Sequence, residues 1–389
     1  MASVVTPAPT PSPTLEPLAS PRPQPDPLPA FAASIPGPNG LRLDWNVVAT
    51  NILLTLLVIL LFGLTSAVFN STIDDNRDEI AGWFARLGST LGFIAGPLGR
   101  LDHGLKGAAD RANVSTLARV FVVLALSGLI YGFLSPDFGL NEKSLYLFVA
   151  LVIGLGFATY LQEGGTTFLA ERRYHVPSSV RLFGAGIAVA IVCVLVSRLA
   201  GLQPGFLYGF IASSVILAPA SLDRRTSANL VIWPSIALLV ASILAWLVMG
   251  PLTLAARADA SPLNVLGNTI AASIFVGGLE GVFYSMIPLS FMDGAVVWRW
   301  SRIAWVLIFG VTTFLFWQLV INQYTAYLDA FRQPTILAIL AILLVYGTLT
   351  IGTWAFFEYR RRKEGGGEPG GPDASTPGGD AMQDQSARG

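Results

Sequence analysis

Long apolar runs separated by short polar stretches make up most of the chain. Nine runs stand out, at about 46–69, 117–135, 144–162, 182–200, 204–220, 229–250, 264–288, 301–321 and 335–357. Most approach the roughly 20 residues that a helix needs to cross the hydrocarbon core. Backbone polar groups in hydrocarbon have to be satisfied inside the span, so the runs predict helices rather than barrel strands. The fifth run is short and flanked by prolines, which leaves eight or ten spans open. The pattern therefore predicts an all-α, polytopic helical membrane protein with about nine transmembrane helices and disordered termini.

The segments outside the runs divide the chain. Residues 1–40 hold 12 of the 25 prolines, so residues 1–45 are expected to form an extended, disordered, extracytoplasmic arm. It is not read as a signal peptide, because the apolar stretch starts too late and no charged segment closely precedes it. After a first span at 46–69 comes a loop, 70–116, in which Ile80, Trp83, Phe84 and Leu87 follow helical spacing among Arg77, Asp78, Glu79 and Arg86. That spacing predicts a short amphipathic helix, lying in the membrane interface or docked on the protein's own face. The stretch "LGFIAGPLG" after it is too short and too broken to span. Residues 117–357 form an eight-helix membrane domain, and 358–389 a basic, then glycine-rich disordered tail.

Composition agrees. The 389 residues are 53% hydrophobic and 12% charged with mean hydropathy +0.61, about half the charge of a soluble domain. A formal net charge of zero gives no electrostatic case for nucleic acid. The single cysteine, Cys193, excludes an intrachain disulfide and a cysteine metal cluster, and it reads as packing. Arginine outnumbers lysine 21 to 3, a usage that points to a bacterial genome. The arginines also alternate. One set of loops carries Arg77, Arg86, Arg100, Lys106 and Arg111, then Arg172, Arg173 and Arg181, Arg224 and Arg225, Arg299 and Arg302, and Arg360 to Lys363. The other set has only Arg22, Arg42, Lys143, Arg198, Arg257 and Arg332. The richer set is expected to be cytoplasmic. This predicts a multi-pass protein of the bacterial plasma membrane with its amino terminus outside and its carboxyl terminus inside.

Ionisable groups inside membrane helices cost a few kcal/mol or more and are functional candidates by default. Glu163 ends the third run, in "TYLQEGGTTFLAERRYHV", flanked by Gly164 and Gly165, which suggest an interrupted helix. Glu280 lies well inside the seventh run and Asp293 just beyond it. Runs three and seven point the same way, so Glu163 and Asp293 can meet at one depth. Bland roles compete: a helix-end group for Glu163, a hydrogen bond to Asn268, Gln162 or another span for Glu280, a cap or a pairing with Arg299 or Arg302 for Asp293. Gly277, Gly278 and Gly281 read as close helix packing, and Trp298, Trp300 and Trp305 as an interfacial belt.

"QEGGTTFLAERRYHV" and "SMIPLSFMDG" together resemble the two signature blocks of site-2-type intramembrane metalloproteases, HExGH with a following "AARRYGV" and "NLLPxxxLDG". In that family two histidines and an aspartate bind zinc and a glutamate is the general base. The resemblance puts Glu163 at the base and Asp293 at the metal-binding aspartate, with the Pro288-to-Asp293 interval kept. It puts Gln162 and Thr166 at the two histidine positions. His103 and His175, the only histidines, do not restore the pair. Glutamine and threonine are poor zinc ligands, so the resemblance implies a site without its metal.

Over about 300 residues the chain is also similar to actinobacterial membrane proteins named for an FGLLP motif. "FNSTIDDNRDEI" matches their "FNSTLEENRDEI", and "GLEGVFYSMIPLSFMDG" their "GLEGLLFGLLPLRFLDG". That family carries no assigned activity. The expectation is a non-catalytic, metalloprotease-like membrane protein that binds another membrane segment or a small ligand, with no cofactor and the lipid bilayer as its surroundings. The alternative is a transporter or proton-coupled carrier built on Glu280 and Glu163. An active protease is the least favoured reading.

The orientation is checked by cysteine labelling in a Cys193→Ser background. Thr10→Cys should react with an impermeant maleimide on intact cells, and Asp380→Cys only after permeabilisation.

Overall fold

A computed structural model describes residues 26–41, 43–90, 116–182, 185–199, 201, 212–216, 222–322 and 325–365. Among them six helices are long and apolar enough to cross a membrane: Trp45–Asp75, Glu142–Tyr174, Arg224–Ala258, Pro262–Ser285, Arg302–Ile321 and Pro334–Lys363. Two shorter apolar helices, Ala118–Gly132 and Ala190–Leu199, accompany them. The chain is a helical membrane protein, with six full-length spans among the described residues where the pattern suggested nine.

In chain order the helices are α1 (Ala30–Ala33), α2 (Trp45–Asp75), α3 (Arg77–Thr90), α4 (Thr116–Gly132), α5 (Glu142–Thr159), α6 (Gly165–Tyr174), α7 (Ala185–Leu199), α8 (Arg224–Ala258), α9 (Pro262–Ser285), α10 (Asp293–Trp300), α11 (Arg302–Phe316), α12 (Tyr327–Ala330) and α13 (Pro334–Gly365). A π-turn, Tyr160–Gly164, joins α5 to α6, and another, Trp317–Ile321, extends α11.

The least apolar span is the central one. Helix α9 has 78% of its best window buried, against 22% for α13, which turns most of its surface to the surroundings. Helices α5 and α8 flank α9. Lipid tails are as apolar as leucine, so small residues that let backbones approach drive this packing. At Gly278 a Cβ would lie 2.1 Å from Ser242 Oγ and 3.1 Å from Leu238 Cδ1 on α8, as expected for the glycines of this run.

The fifth apolar run is not a helix where it is described. Ala212–Ile216 is a strand, β2, antiparallel to β1 (Ser178–Leu182), with Val180 opposite Ser214. Its centre is polar, Ser213 and Ser214, and strand pairing satisfies part of its backbone. Irregular or extended backbone is tolerated at membrane depth only when protein covers it. The described residues on either side of residues 202–211 lie at opposite ends of α5. Arg198, near the end of α7, donates to the carbonyls of Phe133 (2.7 Å) and Ser135 (3.1 Å) in the turn before α5. Ser214 lies beside Glu163, beyond the other end of α5. The connecting residues 202–211 lie outside the described part.

The arm expected to be disordered through residue 45 is ordered from Asp26 on. Leu28, Phe31, Ala32 and Ile35 are buried, Trp246 Nε1 donates to the Pro36 carbonyl at 2.8 Å, and Arg257 pairs with Asp26 at 3.0 Å. Four apolar side chains between the prolines give this segment something to bury. At the opposite end α3 is present and docks on the protein itself. Trp83 stacks on Phe357 of α13 (5.2 Å, 12°), and Glu79 pairs with Arg360. Helix α13 runs on to Gly365, eight residues into the expected tail. Residues 1–25, "LGFIAGPLG", His103 and residues 366–389 lie outside the described part.

Trp305 does not belong to an interfacial belt. It is fully buried, stacks on Phe309 (4.8 Å, 22°) and donates from Nε1 to the Met286 carbonyl at 2.7 Å. That carbonyl lies at the end of α9, where the helix offers it no donor. A polar knot links α2 to the second π-turn: Asn51 Nδ2 donates to Gln318 Oε1 and the Asn322 carbonyl, both at 2.8 Å.

Gly278→Val should destabilise the purified protein by about 1–3 kcal/mol through overpacking, read as a lower melting temperature, whereas Gly352→Val, with nothing within 4 Å, should leave it unchanged.

Candidate functional site

Glu163 sits in the first π-turn and is 7% exposed. The glycines after it do not interrupt the helix. Gly164 and Gly165 keep right-handed helical angles, and the chain widens by one residue into the π-turn before α6 resumes. Such bulges are frequent at functional sites. With no side chain at 165, the backbone lies close to Pro234 of α8, whose Cβ would be 3.4 Å from a Cβ added there.

Pro234 explains the two positions beside the glutamate. Proline has no N–H, so the carbonyl four residues earlier, Leu230, loses its helical donor. The Thr166 hydroxyl lies 3.1 Å from that carbonyl and 2.9 Å from its own helix's Gln162 carbonyl. Gln162 Nε2 donates to Ser235 Oγ at 3.0 Å, and Ser235 donates to the Val231 carbonyl at 2.8 Å. The side chains at both of the family's histidine positions are thus spent joining α5 and α6 to the proline site of α8.

The Glu163 carboxylate is met by a strand. Ser214 donates its backbone N–H to Glu163 Oε2 at 2.6 Å. Ser214 faces Val180 across the sheet, so an N–H turned to Glu163 belongs to the open edge of β2, away from β1. Strand β1 is placed by the end of α6. His175 adopts a left-handed conformation (φ 54°), and Val176 N–H donates back to the Ala170 carbonyl at 3.0 Å, a helix stop that turns the chain over. Ser178 Oγ then donates to the Thr167 carbonyl at 3.3 Å.

Asp293 opens α10 and is solvent-exposed, where a carboxylate suits the helix's positive end. Ser285 Oγ donates to its Oδ2 at 3.2 Å. Asp293 lies within electrostatic reach of Glu163, so the two carboxylates are on the same side of the bundle. It is not paired with Arg299 or Arg302 among the described residues, and Arg302 lies over the Trp298 ring at 5.3 Å. Gly294 lets α10 fold back tightly, since a Cβ there would sit 2.2 Å from the Met286 carbonyl. Pro288 is buried in the turn between α9 and α10. Asn70 pins this turn from both sides: its Nδ2 donates to the Pro288 carbonyl (3.0 Å), and its Oδ1 accepts from Ser290 N–H (2.7 Å).

Glu280 is a separate feature. It is 1% exposed inside α9, with Tyr284 one turn on within reach of its charge. The partners suggested for it lie elsewhere: Asn268 Nδ2 donates to Thr253 Oγ1 (2.7 Å) and the Met249 carbonyl (3.3 Å), and Gln162 to Ser235.

Zinc is the group that the two-block resemblance implies, and the donors present do not fit it. Among the described residues the carboxylates on this side are Glu163, engaged by a main-chain N–H, and Asp293, while the Gln162 amide and Thr166 hydroxyl bond to α8. Among the described residues no three His, Cys, Asp or Glu side chains cluster as a metal site would require. Comparisons with family models, curated proteins and solved structures find no match. Ser214, Ser235, Ser285, Asn70 and Pro234 complete the site and were missed in the sequence. Pro234 alone carried a readable signal, a proline inside an apolar run.

The placement of Glu163 and Asp293 on one side has a direct check. With Cys193 replaced by serine, Glu163→Cys and Asp293→Cys should be bridged in good yield by a short bifunctional maleimide. The pair Glu280→Cys and Asp293→Cys should not, because position 280 is enclosed.

Proposed function

We propose that this chain is a non-catalytic membrane protein, of the metalloprotease-like descent its two motif blocks suggest, whose Glu163 cleft holds extended polypeptide from another membrane protein. The observation that carries the reading is the Ser214 N–H on Glu163: a carboxylate at the end of an apolar helix engaged by the main chain of a strand. Recognition through backbone N–H is indifferent to side chains and suits a helix end that unwinds on entering the cleft. The strand β2 occupies the place such a segment would take, and its edge offers further backbone groups for pairing. Asp293, exposed and near, supplies a second acceptor at the mouth.

The absence of imidazoles at positions 162 and 166 favours binding over hydrolysis. Without a metal to lower the pKa of water, a lone carboxylate activates it poorly. The site is best placed on the cytoplasmic side of a bacterial plasma membrane, amino terminus outside, because Arg172, Arg173, Arg224, Arg225, Arg299 and Arg302 flank it. A nine-crossing path fits that orientation if α4 and α7 each traverse once and the chain returns before β2.

The carrier reading draws on Glu280. Against it, residues 26–41 pack across the opposite end of the bundle through Leu28, Phe31, Ala32 and Ile35, with Trp246 and Arg257 of α8 both bonded to the segment. A path past Glu280 to that side would require lifting this segment.

A photoreactive amino acid at Ile216, on β2, should cross-link in native membranes to one discrete polypeptide, and Glu163→Ala should reduce that product several-fold. Purified protein should hold no stoichiometric zinc. About one zinc per chain, with cleavage of a membrane-embedded peptide abolished by Glu163→Gln, would contradict the reading in favour of a protease. Substrate-dependent flux in proteoliposomes, lost on Glu280→Gln, would contradict it in favour of a carrier.

A further inference from the structure

The two ends of the bundle treat their basic residues differently. At the end covered by α1, the four described cations are all taken up by the protein. Arg257 pairs with Asp26 and Arg332 with Asp329, Lys143 donates to the Asp26 carbonyl, and Arg198 donates to the carbonyls of Phe133 and Ser135. At the Glu163 end, Arg172 and Arg173 lie in the last turn of α6, and Arg224 and Arg225 open α8. All four are exposed, and among the described residues none of them forms an ion pair or a hydrogen bond. The seam between the helices brings the two pairs to one rim. Asn229 Nδ2, one turn after Arg225, donates to the hydroxyl of Tyr174, next to Arg173, at 3.3 Å.

Local electrostatics do not favour this placement. The start of a helix carries the positive end of its dipole, which suits a carboxylate and not two guanidiniums. Asp223 offsets part of this as the cap of α8, accepting from Thr226 N–H at 3.3 Å. Glu171 is the other exposed acid beside the four arginines. Glu163 and Asp293 already accept from Ser214 and Ser285. Four guanidiniums, each a fork of donors matched to phosphate oxygens, are left facing outward.

Both helices also carry an exposed ring on the membrane side of their arginines. The Arg172 guanidinium lies over the ring of Phe168, which is 64% exposed. On α8, Arg225, Asn229 and Trp233 follow one another at steps of four and share a face. Trp233 is 58% exposed and lies about 12 Å further along the axis than Arg225, at the level of acyl chains rather than headgroups. A free inorganic anion would use the arginines and leave both rings idle. An anionic head on an apolar body uses both.

We propose that the α6–α8 rim is a binding site for an anionic phospholipid. Arg172, Arg173, Arg224 and Arg225 hold its phosphate, and its acyl chains lie against Phe168 and Trp233. Basic clusters between membrane helices suit such headgroups. The site is separate from the Glu163 cleft and does not depend on what that cleft holds.

The test is a lipid titration of the purified full-length protein in detergent, followed by native mass spectrometry. Dioleoyl phosphatidylglycerol should bind saturably, and dioleoyl phosphatidylcholine at least several-fold more weakly. Arg172→Gln with Arg225→Gln should weaken phosphatidylglycerol binding about tenfold or more, as loss of two surface charges implies. Arg172→Lys with Arg225→Lys, which keeps the charge, should retain most of it. Arg299→Gln with Arg302→Gln removes two charges from the same end of the bundle, at the corner of α10 and α11, and should leave binding within about twofold of the parent. Millimolar pyrophosphate should displace the lipid poorly. The proposal is overturned if phosphatidylcholine binds as tightly as phosphatidylglycerol, or if the α6–α8 glutamine variant binds as the parent does. It is also overturned if both glutamine variants lose binding equally, which would mean a diffuse positive rim, or if pyrophosphate displaces the lipid fully, which would mean a site for inorganic anions.

Discussion

A carboxylate buried at the end of an apolar helix needs a donor, and here the donor is the backbone N–H of a strand. The bond between Ser214 and Glu163 organises the surroundings of the site. It requires β2 to lie over the first π-turn, which requires β1 to pair with β2. That in turn requires α6 to stop at His175 and the chain to reverse. A charged carboxylate left unmet at this depth would cost several kcal/mol, comparable with the whole stability margin of many domains. The strand is thus part of the site.

The same rule, that polar groups inside the bundle must find partners inside the bundle, accounts for the side chains at positions 162 and 166. Pro234 opens the hydrogen-bond ladder of α8 and leaves the Leu230 carbonyl without its helical donor. Thr166 is placed to supply one, and Gln162 finds Ser235 one residue beyond the proline. An imidazole at either position would be larger and would have to choose between zinc and α8. Gln162, Thr166 and the proline make a consistent set, a seam that joins α5 and α6 to α8.

Much of the scaffold was legible in the sequence because hydrocarbon imposes a long, coarse signal. Six of the nine apolar runs are full-length spans, and the amphipathic spacing from Ile80 to Leu87 falls within a real helix. Residues 212–216 of the fifth run form a strand, because apolar length alone cannot separate a helix from a strand; the paired serines were the clue. Trp305 looked interfacial because tryptophans at a span's edge often are, yet a helix-end carbonyl at Met286 drew it inward. Glu163 and Asp293 could be singled out by their expense. Their partners could not, because a main-chain N–H leaves no trace in residue identity, and Asn70 serves a turn more than two hundred positions away. Residues 26–41 show the limit of composition. Prolines dominate the count, but four apolar side chains between them decide that the segment packs.

The central claim is that Glu163 holds main chain rather than metal or water. Amide hydrogen exchange of the peptide covering Ala212–Ile216 measures this directly in detergent-purified protein. The account predicts slow exchange at Ser214 in the parent, lost in Glu163→Ala and partly kept in Glu163→Gln, whose amide oxygen can still accept, while exchange in α9 stays unchanged. Rapid exchange at Ser214 in the parent, or slow exchange that survives Glu163→Ala, would contradict it.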